Sequence, residues 1–232
     1  MQAIILAGGK GTRLKPYTTV LPKPLMPIGD CPILEVVVRQ LKKNGFHKIT
    51  MAVGHQHDLF IAFFGNGEKW GVSIDYYIEK EPLGTAGSIR HIENLDDTFL
   101  LMNGDILTDL NFRELFEIHL KKHPYLTIAA HERTQDVNYG TLEYSSDGML
   151  NKFIEKPAYR FNVSMGIYIL SRQVLPFIPE CGHFDFPDLV QMLLTEKKPV
   201  YCHPYSGYWM DIGRPDDYEQ AIDDYEKIKD RL

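Results

Sequence analysis

Arg13 and Lys23 place two cations just after a loop that holds Gly8, Gly9 and Gly11. Glycines let a backbone turn and approach a ligand closely, and the N–H groups of such a turn can point at anionic oxygens. Arg13 adds a planar fork that matches phosphate geometry. Lys23, framed by Pro22 and Pro24, adds a point charge on a stretch with restricted backbone freedom. Upstream, Ala3 to Ala7 is a short apolar run, the pattern of a strand covered on both faces. The combination suits the polyphosphate of a nucleoside triphosphate.

Two better-known glycine loops compete for this segment, and neither fits. A Walker A loop needs Lys-Ser or Lys-Thr after its last glycine, whereas Gly11 is followed by Thr12 and Arg13. A dinucleotide fingerprint opening at Gly9 and Gly11 would need its third glycine where Leu14 stands. An ordinary strand-to-helix turn explains the glycines but leaves Arg13 and the Pro-Lys-Pro run without a reason.

The elements that must carry these residues read as α/β. Strand-like runs (3–7, 48–53, 73–78, 98–102) alternate with helix-like ones (33–44, 58–64, 85–92), the pattern of crossover units and a mainly parallel sheet. Asn103-Gly-Asp105 follows the fourth strand, and ligands bind at the carboxyl ends of strands in such sheets, so Asp105 stands where a catalytic residue belongs. The second half changes character. Runs 126–131, 139–144, 150–155 and 164–170 read as strands with hairpin-like separations, followed by a helix over 185–194, a strand over 200–204 and a charged closing helix over 215–229. One domain over 1–232 is expected, with 1–110 as one half and 111–232 as the other.

Composition bounds the class. A chain of 232 residues with 44% hydrophobic and 24% charged residues can bury a substantial core. A net charge of −6 argues against broad nucleic-acid or anionic-membrane binding, and no window approaches a membrane span. Cys31, Cys181 and Cys202 are far apart and form no Cys-x-x-Cys pair, which fits a reducing cytoplasm. His55 and His57 have no further ligand cluster and read as a solvated loop. Trp70, Tyr76, Tyr77 and the Phe60 to Phe64 run read as packing rather than a base-stacking platform.

Leu6-Ala-Gly-Gly-Lys-Gly-Thr-Arg-Leu14 followed by Pro22-Lys-Pro-Leu25 resembles the sugar-1-phosphate nucleotidyltransferase family. The resemblance continues through Glu81-Pro-Leu-Gly-Thr-Ala-Gly87, Asn103-Gly-Asp105, Glu155-Lys-Pro157 and Trp209-Met-Asp-Ile-Gly213, and so covers nearly the whole chain. It implies a three-layer Rossmann-like fold with a strand-rich sugar-binding insertion, a nucleotide-binding half and a sugar-binding half. It also implies that the left-handed β-helix of longer relatives is absent. The implied reaction joins a nucleoside triphosphate and a sugar 1-phosphate and releases pyrophosphate. Leu6, Ala7, Gly8, Gly9, Gly11, Thr12, Pro82, Gly84 and Thr85 would surround the nucleotide. Arg13 would grip the pyrophosphate, Lys23 the α-phosphate, and Lys156 the sugar phosphate. Asp105 and Asp211 would share one Mg2+, and Tyr139, Gly140, Glu155, Asn162 and Ser164 would line the sugar pocket. A homo-oligomer is compatible with all of this.

Base choice is argued from Glu79. Uridylyl- and thymidylyltransferases of this superfamily commonly carry glutamine there, while an ionised carboxylate only accepts hydrogen bonds and suits the two adjacent donors of guanine. The resemblance is thus strongest to the short bacterial type of mannose-1-phosphate guanylyltransferase. Mannose enzymes commonly have asparagine where this chain has Ser164, two residues before Gly166. The alternatives are a thymidylyl-, uridylyl- or cytidylyltransferase acting on glucose 1-phosphate or another sugar 1-phosphate, and a non-catalytic sensor of nucleotide sugars. Arg13, Lys23, Asp105, Lys156 and Asp211 are all present, which favours catalysis.

Overall fold

The apolar run near the N-terminus becomes the strand on which the sheet is built. In the computed structural model, which describes residues 1–9 and 11–232, that strand is β1 (Gln2–Leu6). Lys10, inside the glycine loop, lies outside the described residues. There follow β2 (Pro27–Ile28), β3 (Cys31–Pro32), α1 (Ile33–Lys43), β4 (Lys48–Val53), α2 (His57–Phe64), β5 (Ser73–Ile78), α3 (Gly84–Gly87), β6 (Thr98–Asn103), β7 (Ile106–Thr108) and α4 (Phe112–Lys122). The remainder is β8 (Leu126–Asp136), β9 (Thr141–Tyr144), β10 (Leu150–Ile154), β11 (Ala158–Ser171), α5 (Phe186–Thr195), β12 (Val200–Tyr205), β13 (Trp209–Asp211) and α6 (Pro215–Ile228).

Seven strands form one sheet in the order β12-β8-β11-β6-β1-β4-β5. β1 pairs in parallel with β4 and β6, β4 with β5, and β12 with β8; β11 runs antiparallel to both β6 and β8. The fold is therefore α/β with a mainly parallel central sheet. Alternation along β1 explains why its sequence is apolar throughout: Ala3 and Ile5 join Val37, Leu41, Phe112 and Leu115 on one face, and Ile4 joins Ala86, Ile89, Leu189 and Leu193 on the other. Ile4 and Ile5 are fully buried, and burial of each stabilises the fold by about 1.5–3 kcal/mol. A third cluster of Leu14, Met26, Ile28, Ile33, Leu107, Ile212, Tyr218 and Ala221 fastens α6 under the segment that carries Arg13 and Lys23. The Tyr218 hydroxyl also donates to the Pro27 carbonyl at 2.6 Å.

Several elements differ from the sequence reading. The helix expected over 85–92 is the single turn of α3 followed by a 3-10 turn over Ser88–His91. β8 and β11 extend well past their apolar ends, because Glu132–Asp136 and Ala158–Asn162 pair with each other as an exposed two-stranded arm. Tyr139 and Gly140 precede β9 rather than opening it, and Glu155 lies just past the end of β10. α4 falls where no element was read. Among the described residues no helix is long and apolar enough to cross a membrane.

Candidate active site

A cleft of about 470 Å3 opens at the carboxyl ends of β1 and β6, and the glycine loop forms its floor. The Ala7 N–H donates to the Ala52 carbonyl at 2.8 Å, carrying β1–β4 pairing one residue past β1. Gly8 then lies so close to Gly54 that a Cβ on Gly54 would sit 3.2 Å from the Gly8 carbonyl oxygen. Gly11 takes a left-handed φ of 59°, and a Cβ there would meet Thr18 at 2.9 Å. The Thr18 hydroxyl holds that turn by donating to the Gly11 carbonyl at 2.7 Å. The glycine pattern thus reflects both backbone sign and crowding. Leu6, Ala7, Gly8, Gly9, Gly11, Thr12, Arg13, Lys23, Glu79, Pro82, Gly84, Thr85 and Asp105 all line this one cleft.

Lys23 is nearly buried and forms an ion pair with Asp105; its Nζ is 3.9 Å from an Asp211 carboxylate oxygen. A short ladder brings the two aspartates together. β13 pairs antiparallel with β7 so that Asp211 stands opposite Ile106, and the Ile212 N–H donates to the Asp105 carbonyl at 3.2 Å. Two carboxylates against one buried lysine leave a surplus of negative charge. Burial, and then Asp105, push the Asp211 carboxyl above its ordinary range, with Lys23 and Arg13 opposing. Asp105 Oδ1 is buried and has no hydrogen-bond partner. An orphaned carboxylate oxygen next to a second carboxylate fits a hard divalent cation that takes its other ligands from phosphate and water. Among the described residues no group of three His, Cys, Asp or Glu gathers at one point.

The far wall of the cleft carries Glu79 and the Gly84–Thr85 turn. Glu79 continues β5, its N–H donating to the Val53 carbonyl at 2.8 Å, and its Oε2 would lie 3.2 Å from a Cβ on Gly8. Burial raises the Glu79 carboxyl above its ordinary range while the Ser88 hydroxyl lowers it in part. Gly84 has φ 82° and no room for a side chain, since a Cβ would meet the Phe184 carbonyl oxygen at 2.5 Å. Thr85 donates from its N–H at 3.0 Å and its hydroxyl at 3.2 Å to Asp185 Oδ1, and accepts from the Phe186 N–H at 2.8 Å. The rim is therefore stapled to the start of α5. Asn103, His183 and Asp185 line the cleft, yet the sequence reading assigned them no role. Asp185, read from the sequence only as the first residue of a helix, stands just before α5, and its backbone N–H donates to Asp188 at 2.9 Å.

The residues expected at the sugar do not line this cleft. Tyr139 is 79% exposed, and Glu155, Lys156 and Asn162 are exposed as well. Gly140 stands against Phe153 and Glu155, where a Cβ would come within 3.1 Å of both. Lys156 has a left-handed φ of 46°. Ser164 does not line the cleft either and is tied within β11 instead. Its hydroxyl donates to the Tyr168 hydroxyl at 2.9 Å and accepts from the Gly166 N–H at 3.3 Å, where the β8–β11 register shifts. Tyr168, in turn, feels the charge of Asp211. Gly166 (φ 72°) lets this backbone pass Asn103, whose Nδ2 would be 2.8 Å from an added Cβ.

Comparison with known proteins matches residues 2–228 to the family model described as nucleotidyl transferase. A protein of Synechocystis sp. named UTP–glucose-1-phosphate uridylyltransferase is 34% identical over 242 residues, covering 96% of this chain and 62% of the relative. The chain thus spans less than two thirds of the length of that relative. A protein of Aneurinibacillus thermoaerophilus named D-glycero-alpha-D-manno-heptose 1-phosphate guanylyltransferase is 34% identical over 225 residues, covering 95% of this chain and 96% of the relative. The crystal structure of HddC from Yersinia pseudotuberculosis complexed with GMP-PN superposes with a TM-score of 0.74 at 29% identity, covering 97% of this chain and 99% of that one. With the family model running almost from end to end, and relatives above 30% identity aligned over nearly all of its residues, this chain belongs to the nucleotidyl transferase family.

Proposed function

We propose that the chain transfers a nucleotidyl group, with GTP the favoured donor, to a sugar 1-phosphate such as mannose 1-phosphate or a related hexose or heptose phosphate. One observation carries the reading: Arg13, Lys23, Glu79 and Asp105 face one cleft, and a short ladder sets Asp211 beside Asp105. The relative named as a heptose 1-phosphate guanylyltransferase, matched over almost the whole of both chains, supports the guanine choice.

In this reaction an oxygen of the sugar phosphate attacks the α-phosphorus, and the bond to the bridging oxygen breaks with its electron pair leaving on pyrophosphate. No side chain needs to change covalently, so the protein's task is to align two anions and stabilise the charge that moves. The glycine-loop N–H groups and Arg13 receive the triphosphate, Arg13 holding the departing pyrophosphate. Lys23 neutralises the α-phosphate under attack, and Lys156 brings in the sugar phosphate. Asp105 and Asp211 would hold a divalent cation, Mg2+ in this proposal, which supplies charge screening between the phosphates when bound. Tyr139, Gly140, Glu155, Asn162 and Ser164 are assigned to the sugar, from the arm and hairpin of the second half. The chain is read as a single domain working in the cytoplasm on small molecules, a reading supported by its acidic charge and three free cysteines.

The name of the Synechocystis relative supports uridylyl transfer as a second reading, and Glu79 separates the two. The test is a matrix of GTP, ATP, UTP, dTTP and CTP against mannose, glucose and heptose 1-phosphates, read by pyrophosphate release. The expected result is release with GTP, favoured by about tenfold or more over the pyrimidine triphosphates. Preference for UTP or dTTP overturns the base assignment, and release from no pair overturns the reaction.

A further inference from the structure

The ladder that brings Asp105 and Asp211 together sets only Ile106–Thr108 against Trp209–Asp211. So short a ladder has few hydrogen bonds of its own to fix its register. Side chains alternate along a strand, so a slip of one residue would turn Asp211 to the opposite face, away from Asp105. At one end the register is held by the Ile212 N–H on the Asp105 carbonyl. At the other end stands Asp109.

Asp109 is a carboxylate with 12% of its side chain exposed, and the chain wraps around it in passing from β12 to β13. Its Oδ1 accepts from the Tyr208 N–H at 2.7 Å and from the Tyr205 hydroxyl. Its Oδ2 pairs with Arg231 at 3.1 Å. The Asp109 N–H and the Thr108 hydroxyl both donate to the Tyr208 carbonyl, at 3.3 and 2.7 Å. Gly207 completes the fit, because a Cβ there would lie 2.7 Å from Asp109 Oδ1. Tyr205 ends β12 opposite His131 of β8, so this carboxylate ties the ladder to the edge of the main sheet.

We propose that Asp109 is a positioning residue for the divalent-cation centre: it pins the Tyr205–Tyr208 turn, and with it the register that sets Asp211 beside Asp105. It acts through the backbone of β13 rather than on a phosphate. The assignment rests on the reading that Asp105 and Asp211 share a cation.

The experiment compares the unaltered chain with Asp109→Ala, Asp109→Asn, Arg231→Gln and Gly207→Ala, well below every melting transition. Two quantities are read: amide hydrogen exchange over residues 208–213 without metal, and the Mg2+ concentration that gives half-maximal pyrophosphate release at saturating substrates. Asp109→Ala should speed exchange over that segment and raise the Mg2+ requirement by about tenfold, the size expected when a metal ligand loses its outer support. Asp109→Asn keeps an acceptor for the Tyr208 N–H and should restore most of both. Arg231→Gln removes only an exposed ion pair and should move neither. Gly207→Ala crowds Oδ1 while leaving the carboxylate in place, so it should reproduce part of the effect, and it decides the matter if Asp109→Ala does not fold. A purely structural role would lower the melting temperature and leave the folded protein's metal requirement alone. A lower melting temperature with unmoved exchange and Mg2+ requirement therefore overturns the role of Asp109 alone. Full activity of the unaltered chain in excess chelator removes the shared cation, and this assignment with it.

Discussion

The two sides of the site are built from different materials. On the side assigned to the nucleotide the backbone does most of the work: Gly8 against Gly54, Gly11 and Gly84 at positive φ, and Thr85 locked to Asp185 leave little freedom for the cleft to change shape. On the side assigned to the sugar, Tyr139, Glu155, Lys156 and Asn162 are exposed on a hairpin and a two-stranded arm that pack against little else. Tight packing holds groups in place before a ligand arrives, whereas exposed groups must be ordered by it. The nucleotide side is therefore read as preorganised and the sugar side as completed on binding. Changes on the first should act mainly on use of the triphosphate, and changes on the second mainly on the requirement for sugar 1-phosphate.

The largest effect should come from the carboxylates where the two sides meet. Asp105→Asn and Asp211→Asn should each cost several kcal/mol of transition-state stabilisation, about a thousandfold in turnover, while the fold survives. Circular dichroism and single-turnover kinetics in titrated Mg2+ check both halves of that statement. Near-normal rates in both variants, or full activity in excess chelator, would remove the cation from the proposal.

Next come the two cations on opposite sides. Arg13→Ala should impair use of the triphosphate and Lys156→Ala should raise the requirement for sugar 1-phosphate, each by about 2–3 kcal/mol for one charge-assisted contact. Initial rates over a grid of both substrates separate the defects. Identical defects toward both substrates would break the division between the sides.

This division also governs what the sequence discloses. A glycine required by positive φ or by close approach leaves a letter that few other residues can replace, so the glycines of the cleft are legible in the sequence while Asn103, His183 and Asp185 are not. Asp211 is different: nothing in its spacing from Asp105 signals a partner, and the three-residue ladder of β7 and β13 is too short for periodicity to register. The pairing followed from the family resemblance alone. α4 escaped for another reason. Phe112, Leu115, Phe116 and His119 repeat at helical spacing behind the cap of Asn111 on the Glu114 N–H, but the fourth member of that stripe is a histidine. His119 is buried and bonded to the Thr127 hydroxyl at 2.8 Å, its pKa lowered to about 4 mainly by desolvation. A polar letter thus concealed a core position. Tyr139 and Gly140 read as strand because they adjoin one, and their exposed bend has no pattern of its own.

A smaller effect is expected at Glu79. Glu79→Gln turns one acceptor into a donor and should weaken guanylyl transfer by about 1.5–3 kcal/mol while improving use of UTP or dTTP. kcat/KM for each triphosphate measures it, and an unchanged ratio means that Glu79 does not read the base.

The smallest change tests whether the rigidity of the nucleotide side is real. Asp185 receives both the N–H and the hydroxyl of Thr85 at the start of α5. Asp185→Ala should lower stability by about 1 kcal/mol through the two hydrogen bonds lost from Thr85. Freed from its latch, the Gly84–Thr85 rim should then bind GTP several-fold more weakly, with the requirement for sugar 1-phosphate unaltered. Thermal unfolding and KM for both substrates provide the check. If GTP binding holds while stability falls, the latch serves α5 alone, and the cleft owes its shape to the glycine loop rather than to its far wall.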